Sequence, residues 1–321
     1  MKKNSIALLT DAYTSPLLIN TLTKERVPVY TKSKSLKMEL GRYCPDLILL
    51  DDTEAANIIT KPESLLFTNS DEGLTAIREF LTNTSEIEVH NLFLDKSDFG
   101  KLLSKALPDF GLPSAETESV RRNELACDAY FNAEGKPVLL GIYAHPFLDG
   151  KDSWDIVYYT SQEIVRMNLP RMEDALKEIS SELDLKNLPL HAEFRQHKDI
   201  LVPIEVDPGR FGSFSVSDLL FFAFGMNPYK QYFRGLKPDW DSTLSLAESD
   251  IFFRVLSRLS AAVPAGKKPD HEEFADTFRN LVGYCKLDPD RYPAFSIAFG
   301  RTDNLSDVKK YLGMDFKNYL T

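Results

Sequence analysis

Cysteine is scarce: Cys44, Cys127 and Cys285 are the only thiols in 321 residues. Their spacing fits no metal-ligand pattern, and three are too few for a disulfide framework, so a reducing, cytoplasmic setting is expected. Positive charge is also short. With 38 Lys and Arg against 48 Asp and Glu, the formal net charge is −10. This argues against nucleic acid or an anionic membrane as a partner, since both need positive potential. An anionic small ligand is still compatible, because a metal ion and a few local cations can hold it. No apolar run approaches the roughly 20 residues of a membrane span. The opening MKKNSIALLTDAY soon reaches an aspartate and reads as a strand, not a signal peptide. There is no G-x-G-x-x-G to suggest a dinucleotide site, no obvious Ser-His-Asp or Cys-His arrangement, and no internal repeat.

What is present alternates. SIALLTD (5–11), PVYTKS, DLILLDD (46–52) and SLLFTN (64–69) read as strands of a small parallel sheet, with helices over SPLLINTLTKERV and DEGLTAIREFLTN (71–83). LDKSDFGKLLSKALPDF (94–110) predicts a helix ending near Pro108, and GLPSAETESVRRN (111–123) is polar and aperiodic. A different register then begins. ELACDAYFNAEGKPVLLGIYAHPF (124–147) predicts two long strands around a turn at Asn132–Gly135, and LPRMEDALKEISSELDL (169–185) a helix. LPLHAEFRQHKDILVPIEVD (188–207) predicts a second hairpin, turning at 197–199. SVSDLLFFAFGMNPYKQYF (215–233) predicts an apolar helix ending at Gly225 and then an aromatic turn, with a helix-and-strand appendage from Lys237 onward.

In the second hairpin, alternate residues share a face. His191, Glu193 and Arg195 therefore point one way, as do Pro203, Glu205 and Asp207 on the return strand, and a short turn can set Glu193 beside Glu205. Three carboxylates on one face repel unless a cation sits among them, and hard divalent cations take such oxygen ligands. Arg195 and Arg210 add forked donors suited to phosphate or carboxylate. A solvent-exposed strand face with compensating cross-strand charges explains the pattern equally well. On spacing alone the two readings stand level. His191 taken alone reads as a hydrogen-bonded structural residue.

Glu193, then Glu205 in E-V-D-P-G-R, resembles the magnesium-binding end of the ATP-grasp superfamily, with its E…E-x-N signature. LDKSDF, DAYFNAEGKPV, AHPF, HAEFR, IEVDPGRFGS and FGMNPY extend the likeness from about Leu94 almost to the C-terminus. The resemblance implies an α/β chain. A pre-ATP-grasp parallel-sheet domain (1–92) leads through a connecting helix and junction (93–123) to an α+β ATP-grasp core of mainly antiparallel sheet with an appendage (124–321). It further implies that Glu193, Glu205 and Asp207 hold Mg²⁺ or Mn²⁺. Lys96 and, more weakly, Glu124 contact ATP, and Arg210 and, more weakly, Arg195 face the transferred phosphate. The implied activity is an ATP-dependent carboxylate–amine ligase acting on a small acid and an amine, an amino acid or short peptide, with self-assembly compatible. Two departures stand out. Asp207 replaces the usual Asn, which adds a negative charge beside the metal. Only the polar 111–123 stretch stands where relatives insert a small nucleotide-lid lobe. The second departure supports an alternative, a lid-less, inactive relative that works as a binding module. A metal-dependent hydrolase has poorer support, with no imidazole at a suitable offset beyond His191.

Overall fold

The structure, a computed structural model, describes residues 4–61, 63–82, 101, 105, 124–146, 156–197 and 200–321. The helix expected over 94–110, apart from Lys101 and Lys105, and the whole of 111–123 lie outside the described residues.

Near the N-terminus, β1 (Ser5–Leu8), β2 (Val29–Tyr30) and β3 (Leu65–Thr68) form a parallel sheet in the order β2-β1-β3. Helix α1 (Pro16–Glu25) begins where the Ser15 hydroxyl accepts from the Leu17 and Leu18 N–H groups, with proline at the first position. Helices α2 (Lys34–Tyr43), α3 (Asp52–Ile59) and α4 (Asp71–Thr82) complete this region. The strand expected at DLILLDD does not form. Only Leu49 makes a bridge, to Val29, and Asp51 instead opens α3 through a reciprocal capping box with Glu54.

Among the described residues the larger sheet has eight strands, paired antiparallel. Its members are β4 (Glu124–Phe131), β5 (Pro137–His145), β6 (Val157–Thr160), β7 (Leu188–His197), β8 (Ile200–Pro208), β9 (Ile251–Arg258), β10 (Leu281–Lys286) and β11 (Ala294–Thr302). They lie in the order β10-β11-β9-β6-β5-β4-β7-β8. Both hairpins expected from the sequence are present. Helix α5 (Gln162–Leu183) starts seven residues before the expected Leu169, because Ser161 caps it and Pro170 is accommodated inside. The apolar helix contracts to α6 (Leu219–Phe224), closed by Gly225 in the left-handed conformation. The aromatic turn after it is instead a helix, α7 (Pro228–Arg234), capped by Asn227. Among the described residues no helix is long and apolar enough to cross a membrane.

Aromatic packing joins the two sheets. Phe67 of β3 lies 5.4–6.3 Å, centroid to centroid, from Phe211, Tyr229, Tyr232 and Phe233. The Thr68 N–H donates to the Gly209 carbonyl at 2.9 Å, and the Tyr232 hydroxyl to the Leu66 carbonyl at 2.9 Å. Buried rings of this size dominate local packing energy. The consequence is positional: the start of α4 is held against the chain that leaves β8.

Candidate functional site

Cross-strand pairing lays the polar residues out in rows on one face of the large sheet. Asp207, His191 and Asp128 are neighbours across β8, β7 and β4, and Glu205, Glu193 and Ala126 form the next row. A third row runs from Arg195 through Glu124 and His145, and Tyr158 of β6 pairs in turn with Arg254 of β9. The structure thus places Glu193 opposite Glu205, with Asp207 two residues along β8.

Two β-bulges decide which side chains join this face. One between Glu193 and Phe194 makes Pro203 pair with Phe194, a core residue, so Pro203 does not share the face of Glu205 as expected. The other, between Asp128 and Ala129, changes the β4–β5 register by one residue. Without it Ala144 would oppose Glu124; with it His145 does. Because a one-residue slip swaps faces, simple counting through the turn hides His145. His145, Asp128 and Tyr158 are the site residues that sequence reasoning missed, and the available signal was only that register.

The centre of the face is a buried network. His191 Nδ1 lies 2.8 Å from Asp128 Oδ1, and Asp128 also accepts from the Tyr143 hydroxyl at 2.7 Å and the Gly212 N–H at 2.9 Å. Glycine is required at 212, since a Cβ there would stand 2.9 Å from the Val216 Cβ and 3.2 Å from the His191 ring. The Tyr158 hydroxyl donates to Glu193 Oε1 at 2.7 Å, and His191 Nε2 lies 3.8 Å from the same oxygen. Burial alone would lower the His191 pKa, but its bonds to Asp128 and Glu193 outweigh that and push it up to about 10. Burial would likewise raise Glu193, yet the His191 contact brings it down to about 2, and Asp128 is held below its ordinary value in the same way. These contacts favour the protonated form of His191 and the ionised form of Glu193, and His191 has the hydrogen-bonded place its sequence context suggested.

The arginines part company. Arg210 Nη2 is 2.8 Å from Asp207 Oδ2, and its Nε is 3.5 Å from Asp71 at the start of α4. Arg195 Nη2 is instead 2.6 Å from Glu124 Oε1. Lys96 lies outside the described residues. Register sets Glu193 opposite Glu205 and leaves Asp207, paired with Arg210, two residues further along β8, while Arg195, Glu124 and His145 form the row on the other side of Glu193. Among the described residues, the group of three whose ligand atoms come within 4.8 Å of one another is Glu124, His145 and Glu193, not Glu193, Glu205 and Asp207.

Residues 117–218 match the family model of the ATP-grasp domain. Over those residues the chain is similar to an ATP-grasp domain. The matched segment contains Glu124, Glu193, Arg195, Glu205, Asp207 and Arg210. No curated protein matches by sequence. Solved structures do match in fold. An L-amino acid ligase from Bacillus licheniformis superposes with a TM-score of 0.61 at 14% identity, covering 100% of this chain and 98% of the other. An N5-carboxyaminoimidazole synthase from Aspergillus clavatus, in complex with ADP and 5-aminoimidazole ribonucleotide, gives 0.62 at 12%, covering 99% of both. A phosphoribosylglycinamide synthetase from Anaerococcus prevotii gives 0.60 at 11%, covering 99% of this chain and 98% of the other. The pairing of a small parallel sheet with a large antiparallel one is the architecture expected of an ATP-grasp protein.

Proposed function

We propose that this chain is an ATP-dependent ligase that joins a small carboxylate to an amine through an acyl phosphate. The observation carrying this reading is the register that sets Glu193 opposite Glu205, with Asp207 two residues along the same strand and Arg210 2.8 Å from it, in a segment similar to an ATP-grasp domain. Three carboxylates are a hard, all-oxygen donor set, which fits Mg²⁺ or Mn²⁺. These residues would hold the ion, and it supplies charge neutralisation for the triphosphate when bound.

The chain's own side chains supply orientation. His191 keeps Glu193 ionised and fixed. Arg210 offers a planar fork of donors for the phosphoryl group in transfer, and Asp207 and Asp71 hold that fork in place. Lys96 and Glu124 are assigned to the nucleotide, and Arg195, paired with Glu124, to secondary charge support. A carboxylate oxygen bonds to the γ-phosphorus as ADP leaves. The amine nitrogen then bonds to the acyl carbon, inorganic phosphate departs, and the nitrogen gives up a proton. The L-amino acid ligase among the fold relatives favours amino acids or short peptides as the first acids and amines to try. A cytoplasmic site of action fits the free thiols.

The test is ADP release from Mg-ATP with a panel of amino acids and dipeptides. Wild type turns over with at least one pair, and Glu205→Ala, still folded by circular dichroism, loses at least ~100-fold, in the range seen when a charge-stabilising group is removed. Turnover unchanged in Glu205→Ala would refute the assignment. No turnover with any pair, together with no thermal shift from Mg-ATP, would favour the inactive binding module suggested by the polar 111–123 segment.

A further inference from the structure

We propose a second cation site beside the first, formed by Glu124, His145 and Glu193 and selective for a borderline dication, Zn²⁺, over Mg²⁺. One ligand atom from each of the three residues lies within 4.8 Å of the others. Metal bonds of about 2.0–2.2 Å to nitrogen and oxygen can close such a triangle with small side-chain adjustments. Glu124 and His145 are buried, and Glu193 is only partly exposed.

The chemistry of the donors differs from that of the neighbouring group. Glu193, Glu205 and Asp207 offer oxygen alone, whereas this triad adds an imidazole nitrogen. Mixed nitrogen and oxygen donors favour later first-row dications, and Mg²⁺ prefers oxygen and retained water. One His and two carboxylates also leave a fourth tetrahedral position for water or ligand. Glu193, lying between the two groups, would be common to both.

The arrangement is built rather than incidental. The bulge at Asp128/Ala129 brings His145 opposite Glu124 instead of sending it to the other face. The imidazole stacks on Tyr158 with centroids 4.2 Å apart and planes 15° from parallel, and the Tyr158 hydroxyl holds Glu193 at 2.7 Å. One aromatic residue therefore orients two of the three ligands. Behind it Arg254, fully buried, lies 5.2 Å from the Tyr158 ring centre and fixes that ring in turn. Arg195 and Tyr158 each engage one oxygen of a ligand carboxylate. A carboxylate has two oxygens and about four lone-pair directions, so these bonds orient the ligands without excluding a metal.

The experiment uses the full chain, stripped with chelator, and Zn²⁺ alone without nucleotide, so the outcome does not depend on the ligase reading. Calorimetry is expected to show one tight Zn²⁺ site that millimolar Mg²⁺ does not displace. His145→Gln and Glu124→Gln should each weaken it more than ~100-fold, beyond the effect of losing an outer-shell partner. Glu205→Gln should retain it. In wild type, ¹⁵N NMR should show one imidazole nitrogen shifting on Zn²⁺ addition, a readout that survives if a variant fails to fold. Unchanged affinity in His145→Gln or Glu124→Gln, loss in Glu205→Gln, or no shifted imidazole would each overturn the proposal.

Discussion

Two groups of carboxylates share one sheet face and are treated oppositely by their surroundings. On the inner strands, Asp128 and Glu193 are answered by His191, Tyr143, Tyr158 and a backbone N–H. On the edge strand β8, Glu205 faces Glu193 directly, and Asp207 is met by Arg210. The inner group spends its charge on internal partners and so acts on stability. The outer group sits on an edge strand, where Glu205 is set opposite Glu193 and Asp207 is held by Arg210 at 2.8 Å, within reach of a ligand that approaches this end of the face. Glu193 belongs to both groups: Tyr158 and His191 hold it from the inner side, and the register sets it opposite Glu205 on the outer side.

The largest effect is expected from breaking the inner group. Asp128→Ala leaves the buried His191 cation with only the longer Glu193 contact, and removing one partner of a buried ion pair costs about 3–5 kcal/mol. Urea denaturation should show that loss, with Asp128→Asn milder because the amide still accepts hydrogen bonds. A loss below about 1 kcal/mol for Asp128→Ala would mean that His191 is not held as a cation, since surface-like pairs contribute only that much.

The same contrast explains what was legible in the sequence. Long alternating strands around Asn132–Gly135 and the E-x-D spacing pointed to the large sheet and the meeting of Glu193 with Glu205. The small sheet was harder, because an apolar run such as DLILLDD can be read as a strand until Asp51 and Glu54 are recognised as a capping box. His145 and Pro203 were hidden by bulges, each of which inserts one residue and swaps the face of the strand beyond it. The partners of Asp128 were out of reach for another reason: His191 and Gly212 lie 63 and 84 residues away in sequence.

A second prediction concerns a buried acid outside both groups. Asp218 accepts from the Ser15 hydroxyl at 2.5 Å, Ser215 at 2.9 Å and Tyr229 at 3.2 Å, and so links the start of α1 to the loop after β8. Burial pushes its pKa up from 3.8 to about 6, more than those three bonds pull it back. A raised carboxyl contributes stability that is complete below about pH 4 and lost as pH rises through 6. Two pH units correspond to about 3 kcal/mol as an order of magnitude. Stability curves between these pH values should therefore fall more steeply with rising pH in wild type than in Asp218→Asn. Parallel curves would show that Asp218 does not titrate there.

The smallest effect on stability, and the sharpest division between the groups, is expected for Glu205→Gln. Without added cation, this substitution removes one charge on an edge strand and keeps the side chain's size and its hydrogen-bonding capacity, so stability should change by no more than about 1 kcal/mol. With Mg-ATP the two should differ. Wild type should gain thermal stability from ligand, as any species binding only the folded state provides, and the variant should gain much less because a ligand oxygen and its charge are gone. The two melting curves, with and without Mg-ATP, decide the matter together. A variant that melts early in both conditions would place Glu205 with Asp128 among the residues that hold the fold. One that melts normally but ignores Mg-ATP would place it among those the fold exists to present.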